Sequence, residues 1–324
     1  MRAIRVTDVG GPERLVMAEF DTPAPGLGEI LVRISAIGVN FIDVYFRTGL
    51  YPATLPFTPG MEAAGRIAAV GADVTDFAVG DRVAYAMVRG SYADHALVPA
   101  DKVVPVPARV DDRTAAAVML QGMTAHYLTR STFPLAAGHT VLVHAAAGGV
   151  GLLLVQMANR LGARVIATVS TAEKAALARE AGAADVINYT DEDFQRGVPA
   201  LTNGLGVDVV YDSVGAATFT KGLACLKPRG LMVSFGNSSG PVPAVEPLAL
   251  SQHGSLFLTR PSLGHYLASR EELIWRAGDV LRAVADGTLT VHIARTYPLG
   301  SAADAHRDLE SRKTMGKLLL APDA

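Results

Sequence analysis

Residues 140–155 read TVLVHAAAGGVGLLLV, an apolar run followed by a glycine-rich turn and a second apolar run. This order predicts a strand, a tight turn and a helix. The backbone N–H groups of such a turn and the positive end of the helix dipole face the same point, where they bind an anion such as a pyrophosphate. Compared with the pattern G-x-G-x-x-G, the turn matches at Gly148 and Gly151 and has Ala146 in place of the first glycine. The stretch therefore predicts a dinucleotide site at Gly148, Gly149, Val150 and Gly151.

An alternative for the same region is a membrane helix, because residues 131–159 carry no formally charged side chain. Pro134, Gly138 and the glycines of the turn interrupt this region. An interrupted backbone that faces lipid leaves polar groups without hydrogen bonds. We therefore favour the dinucleotide turn.

The chain downstream of the turn alternates between strand-like runs and helical stretches. Residues 171–181 predict a helix that ends at Gly182, and Asp191 is expected to cap the helical segment that follows it. The predicted strands span residues 164–169, 184–189, 207–212, 230–236 and 255–260. Strands that alternate with helices specify an α/β fold, here a Rossmann-type doubly wound parallel sheet, with the cofactor along the carboxyl ends of its strands.

The first third of the chain and its end have a different pattern. Short strand-like runs at residues 29–39, 63–70 and 81–87 are separated by turn-forming residues, and residues 114–129 predict a helix. Near the end, the predicted elements are a helix at 271–286, a strand at 290–297, a helix opened by a capping box of Ser301 and Asp304, and a strand at 317–321. We expect a Rossmann domain over residues 123–262, inserted between two parts of a mainly β catalytic domain, residues 1–122 and 263–324.

Composition excludes several classes of protein. The 324 residues have a formal net charge of -2 and 19% charged side chains, with no basic block that would bind nucleic acid and no cationic amphipathic helix that would bind a membrane surface. The single cysteine, Cys225, cannot form an internal disulfide. The N-terminal residues have no signal-peptide profile, so we expect a cytoplasmic protein.

Further short motifs, each different, are distributed along the whole chain. They read GVNFID at 38–43, GLYP at 49–52, PGMEAAG at 59–65, VGDRV at 79–83, YDSVG at 211–215 and SFGNSSG at 234–240. Together with the alanine–glycine turn, these motifs resemble those of the zeta-crystallin-like quinone oxidoreductases, within the medium-chain dehydrogenase/reductase superfamily. The resemblance implies a GroES-like fold for the β-rich domain and a homodimer formed through the nucleotide domains.

The resemblance also indicates that zinc ligands are missing. Zinc-dependent alcohol dehydrogenases of the superfamily have cysteine at the place of Asn40 and histidine at the place of Met61, and neither an amide nor a thioether is a good zinc ligand. A structural zinc site of four cysteines is impossible with one cysteine. We therefore expect no metal site. Without a strong Lewis acid to ionise an alcohol, an acceptor that is already electrophilic, such as a quinone or an activated alkene, is favoured.

Reduction of such an acceptor places negative charge on a substrate oxygen, which neutral donors can stabilise. The resemblance places Asn40, Tyr45 and Tyr51 in this role, and a tyrosine of ordinary pKa is protonated at neutral pH. Packing remains an alternative role for either tyrosine, and a structural turn for Asn40. Thr124 matches a position that contacts the nicotinamide carboxamide. The resemblance also places Gln121 among the cofactor contacts. Many relatives have lysine there, in a position to hold the nicotinamide ribose or the substrate, and glutamine keeps a donor without the charge.

The choice of cofactor is read from the second predicted strand. Folds that prefer NAD place an acidic residue at the tip of this strand, but residues 168–174 read TVSTAEK, with the one acid inside the following helix. Ser170 and Lys174 could instead bind a 2′-phosphate, although a solvated lysine is the alternative, and the resemblance adds Tyr189. This pattern predicts NADPH. For the rest of the cofactor the resemblance implies contacts from Asn40, Ser213, Phe235, Gly236, Asn237, Ser238, Leu258, Thr259, Arg260 and Lys317.

The sequence thus predicts an NADPH-dependent quinone reductase that transfers hydride, or electrons singly, to small quinones without zinc. One alternative is an NADPH-dependent reductase of activated carbon–carbon double bonds, since the same donors could serve an enone oxygen. An alternative of another class is a crystallin-like or RNA-binding protein. The near-neutral charge and the absence of a basic, aromatic-interleaved run speak against RNA binding.

Overall fold

The computed structural model describes residues 1–322. Its strands are β1 (Arg2–Arg5), β2 (Val16–Glu19), β3 (Glu29–Val39), β4 (Glu62–Val70), β5 (Arg82–Ala86), β6 (His95–Pro99), β7 (Val103–Pro105), β8 (Thr140–Val143), β9 (Arg164–Val169), β10 (Asp185–Asn188), β11 (Val207–Asp212), β12 (Leu226–Ser234), β13 (Phe257–Thr259), β14 (Ile293–Pro298) and β15 (Lys317–Ala321). Its α-helices are α1 (Phe41–Arg47), α2 (Asp112–Tyr127), α3 (Gly149–Arg160), α4 (Ala172–Glu180), α5 (Phe194–Leu201), α6 (Phe219–Leu223), α7 (Pro247–Gln252), α8 (Arg270–Ala285) and α9 (Ala302–Glu310).

The chain divides into two units. The first unit contains Met1–Met123 and the described residues from Tyr266 onwards, and the second unit is Thr124–His265. Within residues 1–322, none of the helices combines the length and the apolar composition that are needed to cross a bilayer. The uncharged region around the glycine turn is instead divided between strand β8 and helix α3.

The second unit is built on a six-stranded sheet in the order β10-β9-β8-β11-β12-β13. Every neighbouring pair is parallel. The strand order reverses between β8 and β11, which is the switch point at which doubly wound sheets bind their ligands. Buried side chains such as Leu142, Ile166 and Val210 form the core on the sheet. The predicted α/β fold with a parallel Rossmann-type sheet is thus confirmed.

The first unit contains a seven-stranded sheet in the order β14-β15-β3-β4-β5-β7, with β6 also paired to β3, and a separate hairpin of β1 and β2. All pairs in it are antiparallel except β14 with β15. Strand β3 is 11 residues long, which gives it room to pair with three neighbours, β15, β4 and β6. Most of its residues are buried. Helix α1 follows it directly.

Two predicted helix caps are wrong. Asp191 does not cap α5, because Asp193 takes that place and its carboxylate accepts the N–H of Gln195 (3.1 Å). Ser301 and Asp304 do not form a capping box, because Ser301 ends a short 3-10 turn and its side chain makes no capping bond to α9. A local pattern cannot distinguish neighbouring acceptors whose use depends on where the chain enters the helix.

Candidate active site

The glycine-rich turn of the second unit is open for an anion. The first hydrogen bond of α3 runs from the N–H of Leu152 to the carbonyl of Gly148 (2.9 Å), so the N–H groups of residues 149–151 have no partner inside the helix. A Cβ at Gly151 would lie 2.8 Å from backbone atoms of Ala146, so only glycine fits there. Ala145 adopts φ +51°, which closes the turn.

The turn lies at the carboxyl edge of the parallel sheet. The N–H of His144 donates to the carbonyl of Tyr211 in β11 (3.1 Å), and the N–H of Ala146 donates to the carbonyl of Thr168 in β9 (3.2 Å). These bonds hold the turn at the reversal of strand order, where the N-terminus of α3 supplies positive partial charge.

Three of the predicted phosphate contacts lie at the ends of the next two strands. Ser170 follows β9 and accepts a hydrogen bond from the Lys174 ammonium (3.1 Å) on the first turn of α4. Tyr189 follows β10, where its backbone N–H donates to the carbonyl of Val169 (3.0 Å) and its ring is half exposed. Glu173 lies beside them, but the Glu173 backbone N–H and the Thr171 hydroxyl bind its carboxylate and lower its pKa.

The remaining predicted cofactor residues of this unit lie in the last residues of β13 or directly after β11, β12 and β13. The N–H of Ser238 donates to the carbonyl of Ser213 (3.2 Å), and Arg260 donates to the carbonyl of Ser234 (2.8 Å). The residues brought to this edge are Ser213, Phe235, Gly236, Asn237, Ser238, Leu258, Thr259 and Arg260. Thr124 belongs to the same unit but is buried in α2.

Sequence reasoning missed one organiser of this edge, Asp212. Its buried carboxylate accepts the N–H groups of Val214 (2.7 Å) and Gly215 (3.0 Å) and the hydroxyl of Thr218 (2.9 Å). Asp212 thereby fixes the turn that carries Ser213. The signal was an acidic residue at the carboxyl end of a predicted strand of the parallel sheet.

In the first unit, Asn40 begins helix α1. The Asp43 carboxylate accepts the backbone N–H of Asn40 (2.9 Å), which completes the capping of α1. The same helix carries Tyr45, whose carbonyl accepts the N–H of Tyr51 (3.0 Å) and whose ring centroid is 5.2 Å from that of Tyr51. The structure therefore brings the two predicted tyrosines together.

The Asn40 side chain lies in a buried polar cluster with Glu62, Gln121 and Lys317. Its Nδ2 donates to Glu62 Oε2 (2.9 Å), and its Oδ1 accepts from Lys317 Nζ (2.8 Å) and Gln121 Nε2 (3.2 Å). Lys317 also donates to Glu62 Oε2 (2.5 Å), and the side chains of this ion pair are 1% and 0% exposed. Burial lowers the pKa of Lys317, and the neighbouring Glu62 carboxylate opposes that shift.

A second buried chain of hydrogen bonds anchors α1. Tyr92 Oη donates to Asp43 (3.2 Å). His306 Nε2 is hydrogen-bonded to Tyr92 Oη (2.9 Å), and Arg47 Nη1 is hydrogen-bonded to His306 Nδ1 (3.1 Å). Arg47 can only donate, so His306 Nδ1 accepts and the ring proton is on Nε2. Burial raises the pKa of Asp43 to about 7. Burial and the Arg47 charge lower the pKa of His306 to about 3.

The sequence analysis did not identify Glu62, Asp43, Tyr92 or His306 as parts of a site. A signal for Glu62 was available, because a carboxylate at the start of an apolar strand must find a partner when it is buried. Lys317 was predicted as a cofactor contact, and the structure places its ammonium in the cluster of the first unit.

Comparison with known proteins identifies the family. Residues 26–108 match the family described as alcohol dehydrogenase GroES-like domain, and residues 149–273 match the family described as zinc-binding dehydrogenase. The chain is 47% identical to a quinone oxidoreductase of Pseudomonas aeruginosa, over 99% of both chains, and 44% identical to a 2-haloacrylate reductase of a Burkholderia species, over 97% of both. The crystal structure of an Escherichia coli quinone oxidoreductase complexed with NADPH is 47% identical, covers 99% of this chain and 100% of its own, and superposes with a TM-score of 0.98.

The description of one matched family implies zinc, but the residues present do not fit it. Among residues 1–322 there is no group of three or more histidine, cysteine, aspartate or glutamate side chains that could hold a metal ion. The oxygens of Glu62 and Asn40 bind the Lys317 ammonium instead, and Met61 offers only a buried thioether. The match along the full chain, the parallel sheet and the GroES-like part together show that this protein belongs to the quinone oxidoreductase family of the medium-chain dehydrogenase/reductases.

Proposed function

We propose that this protein is an NADPH-dependent quinone reductase that passes hydride, or electrons singly, to small quinones without zinc. The observation that carries the proposal is the carboxyl edge of the parallel sheet. There the unpaired N–H groups of residues 149–151 can bind a pyrophosphate, and the Ser170–Lys174 pair stands where NAD-binding folds have an acid. The E. coli relative solved with NADPH supports this choice of cofactor.

Each group at this edge has a defined role. The N–H groups after Gly148 hold the pyrophosphate, while Lys174 and Ser170 hold the 2′-phosphate by charge-assisted hydrogen bonds. Tyr189 covers the adenine end with its exposed ring. Phe235, Gly236, Asn237 and Ser238 and the strand end at Leu258, Thr259 and Arg260 bound the rest of the cofactor.

The residues of the first unit serve the acceptor. Bound NADPH supplies the reducing equivalents, and the quinone oxygen that receives negative charge then needs donors. We assign Tyr45 and Tyr51 as neutral donors that α1 and the following turn hold side by side. Asn40 completes the polar surface. The reduced quinone takes its proton from water, so no acid of shifted pKa is required.

Steady-state oxidation of NADPH and NADH tests the function directly. We expect turnover of 1,4-benzoquinone and of a larger ortho-quinone, with NADPH preferred over NADH. The substitutions Tyr51→Phe and Asn40→Ala should each lower kcat/KM by more than about twofold, which is about 0.5 kcal/mol of transition-state stabilisation. Turnover of an enone alone would contradict the quinone assignment.

A reductase of activated carbon–carbon double bonds is the second candidate. The relative named 2-haloacrylate reductase, which is 44% identical over 97% of the chain, favours it. An enone or acrylate oxygen receives charge in the same position as a quinone oxygen, so the same donors would serve. Adding 2-chloroacrylate and a simple enone to the acceptor series separates the two candidates by their kcat/KM values.

Cofactor selectivity has its own test in Lys174→Ala. Losing one charged hydrogen bond of about 1.5–3 kcal/mol should weaken NADPH binding at least tenfold and leave NADH binding unchanged. Arg179→Ala is the matched control, because Arg179 is an exposed cation at the opposite end of α4. Equal weakening of both cofactors would contradict the role given to Lys174.

We also propose a cytoplasmic homodimer formed through the second unit. Strand β13 is an edge of the parallel sheet and carries Phe257 and Leu258, which are 62% and 37% exposed. An exposed apolar edge strand is a surface on which a second copy can pair. Light scattering after gel filtration should give twice the 33.9 kDa chain mass. A monomer at micromolar concentration would contradict the dimer.

A further inference from the structure

The Lys317–Glu62 ion pair is completely buried, and a contribution to stability does not explain this burial. Its two side chains are 1% and 0% exposed, and Nζ lies 2.5 Å from Oε2. A buried ion pair generally adds little stability compared with apolar side chains of the same volume, because both charges lose their hydration. The pair therefore calls for another role.

Hydrogen-bond polarity gives that role. A lysine ammonium can only donate and a carboxylate can only accept, whereas an amide has one end of each kind. Lys317 Nζ donates to Asn40 Oδ1 (2.8 Å), and Asn40 Nδ2 donates to Glu62 Oε2 (2.9 Å). Only one of the two orientations of the Asn40 amide satisfies both charges.

The orientation is passed on to Gln121. Because Asn40 presents its oxygen, Gln121 must turn its Nε2 towards Asn40, where the distance is 3.2 Å. The Gln121 side chain makes no other hydrogen bond with residues 1–322, so its Oε1 and its second N–H are available for a bound molecule.

The backbone holds the carboxylate in place. Glu62 Oε1 accepts the N–H of Leu120 in α2 (2.5 Å). Gly38 leaves room for it, because a Cβ there would overlap the Glu62 carboxylate and lie 2.8 Å from the carbonyl of Ala116. The pair is thus a rigid reference against which the two amides are oriented.

We infer that Lys317 and Glu62 are positioning residues for the reduction, which hold the Asn40 and Gln121 amides in one orientation so that the free N–H of Gln121 donates to the substrate oxygen. This inference rests on the proposed function and makes Gln121 a further donor for that oxygen. Lys317 acts through Asn40 and is not a ligand of the cofactor.

The decisive variant is the double substitution Glu62→Gln with Lys317→Met. It removes both charges together, so no unpaired charge remains buried. The new amide at position 62 must accept the Leu120 N–H through its oxygen, which turns its NH2 towards Asn40 and favours the reversed orientation of both amides. We expect a folded protein with NADPH affinity within threefold of the wild type, measured by fluorescence titration, and with kcat lowered at least 30-fold.

A mutant cycle tests the path through Asn40. In an Asn40→Ala background, the same double substitution should lower kcat by less than twofold further. Gln121→Ala should lower kcat to a similar extent as the double substitution. The matched control is Glu272→Gln with Arg276→Met, which removes a buried cation and its carboxylate (3.2 Å) from α8 of the same unit and should change kcat less than twofold.

Three outcomes would overturn the inference. They are a double variant with kcat within threefold of the wild type, a parallel loss of NADPH affinity and kcat, and full additivity with Asn40→Ala. If the wild type reduces no quinone, the proposed function fails instead. The variants are then compared on whichever acceptor the wild type reduces, so the two failures are distinct.

Discussion

The substitution Arg47→Met should unfold the first unit at much lower urea than in the wild type. The Arg47 side chain is 1% exposed and bonds to Glu310 through two nitrogens (2.8 and 3.0 Å), to the carbonyl of Gly10 (3.0 Å) and to His306 Nδ1 (3.1 Å). Methionine keeps most of the apolar stem but makes none of these bonds.

The magnitude follows from what is left behind. His306 Nδ1 becomes a buried acceptor without a donor, which costs about 1–3 kcal/mol, and the bonds to the Glu310 carboxylate contributed about 1.5–3 kcal/mol. Glu310 is one-third exposed and can rehydrate, so its own charge adds little to the loss. We expect a loss of about 3–5 kcal/mol, in the range for breaking a buried pair. With an m-value of about 2 kcal/mol/M, the urea midpoint falls by about 2 M.

The chain offers a clean assay for this unit. Its only tryptophan, Trp275, lies on α8, so tryptophan fluorescence reports unfolding of the first unit alone. Arg282→Met is the control, because exposed Arg282 pairs with Asp279 (3.0 Å) and should contribute less than about 0.5 kcal/mol. If Arg47→Met and Arg282→Met unfold at the same midpoint, the reasoning about the anchor of α1 is wrong.

Three further predictions concern other parts of the molecule. Gly151→Ala should weaken NADPH binding at least tenfold by fluorescence titration, because its Cβ would press on the backbone of the turn, whereas Gly278→Ala in α8 should leave NADPH binding unchanged, because a Cβ there would meet only the Arg282 side chain at 3.8 Å; equal effects would contradict the steric argument. Burial and the Arg47 charge hold the pKa of His306 near 3, against an ordinary 6.5, so between these pH values the unfolded chain binds a proton that the folded chain does not. The free energy of unfolding of the wild type should therefore fall by about 2–3 kcal/mol relative to that of His306→Gln as pH falls from 6.5 to 4.5. A difference between the two proteins that stays constant with pH would refute this. Burial raises the pKa of the Cys225 thiol to about 12, so a disulfide reagent should modify the native protein at least 100-fold more slowly than the urea-unfolded chain, and comparable rates would show that the second unit opens readily.

Much of the fold was predictable because its patterns are local. The strands at residues 164–169, 207–212 and 317–321 have the predicted bounds, since each is a short, mainly apolar run between turn residues. Gly182 ends α4 as predicted, with φ +106° and its N–H bonded to the carbonyl of Arg179 (2.9 Å). The edge strands β2, β6 and β7 and the short helix α1 were not predicted, because three to seven residues carry too little periodicity.

The candidate site divides in the same way. The glycine turn lies on one strand–helix unit, and Ser170 and Lys174 lie on the next. Because parallel strands bring their carboxyl ends to one edge of the sheet, these residues could be placed together from the sequence. The cap of α5 moved by two residues from the predicted Asp191, because a cap depends on the path by which the chain enters the helix.

By itself, the sequence determined a dinucleotide turn that carries alanine in place of the first glycine, a sheet that would place it, and a catalytic part without good zinc ligands. Only the tertiary structure decided what surrounds Asn40. Strand β15 pairs with β3 from Leu318 opposite Val39, and β4 pairs with β3 from Ala63 opposite Ile37, so Lys317 and Glu62 reach Asn40 from 277 and 22 residues away. A buried charge must find an opposite charge, but strand register selects which one, and register over such separations is a property of the folded sheet.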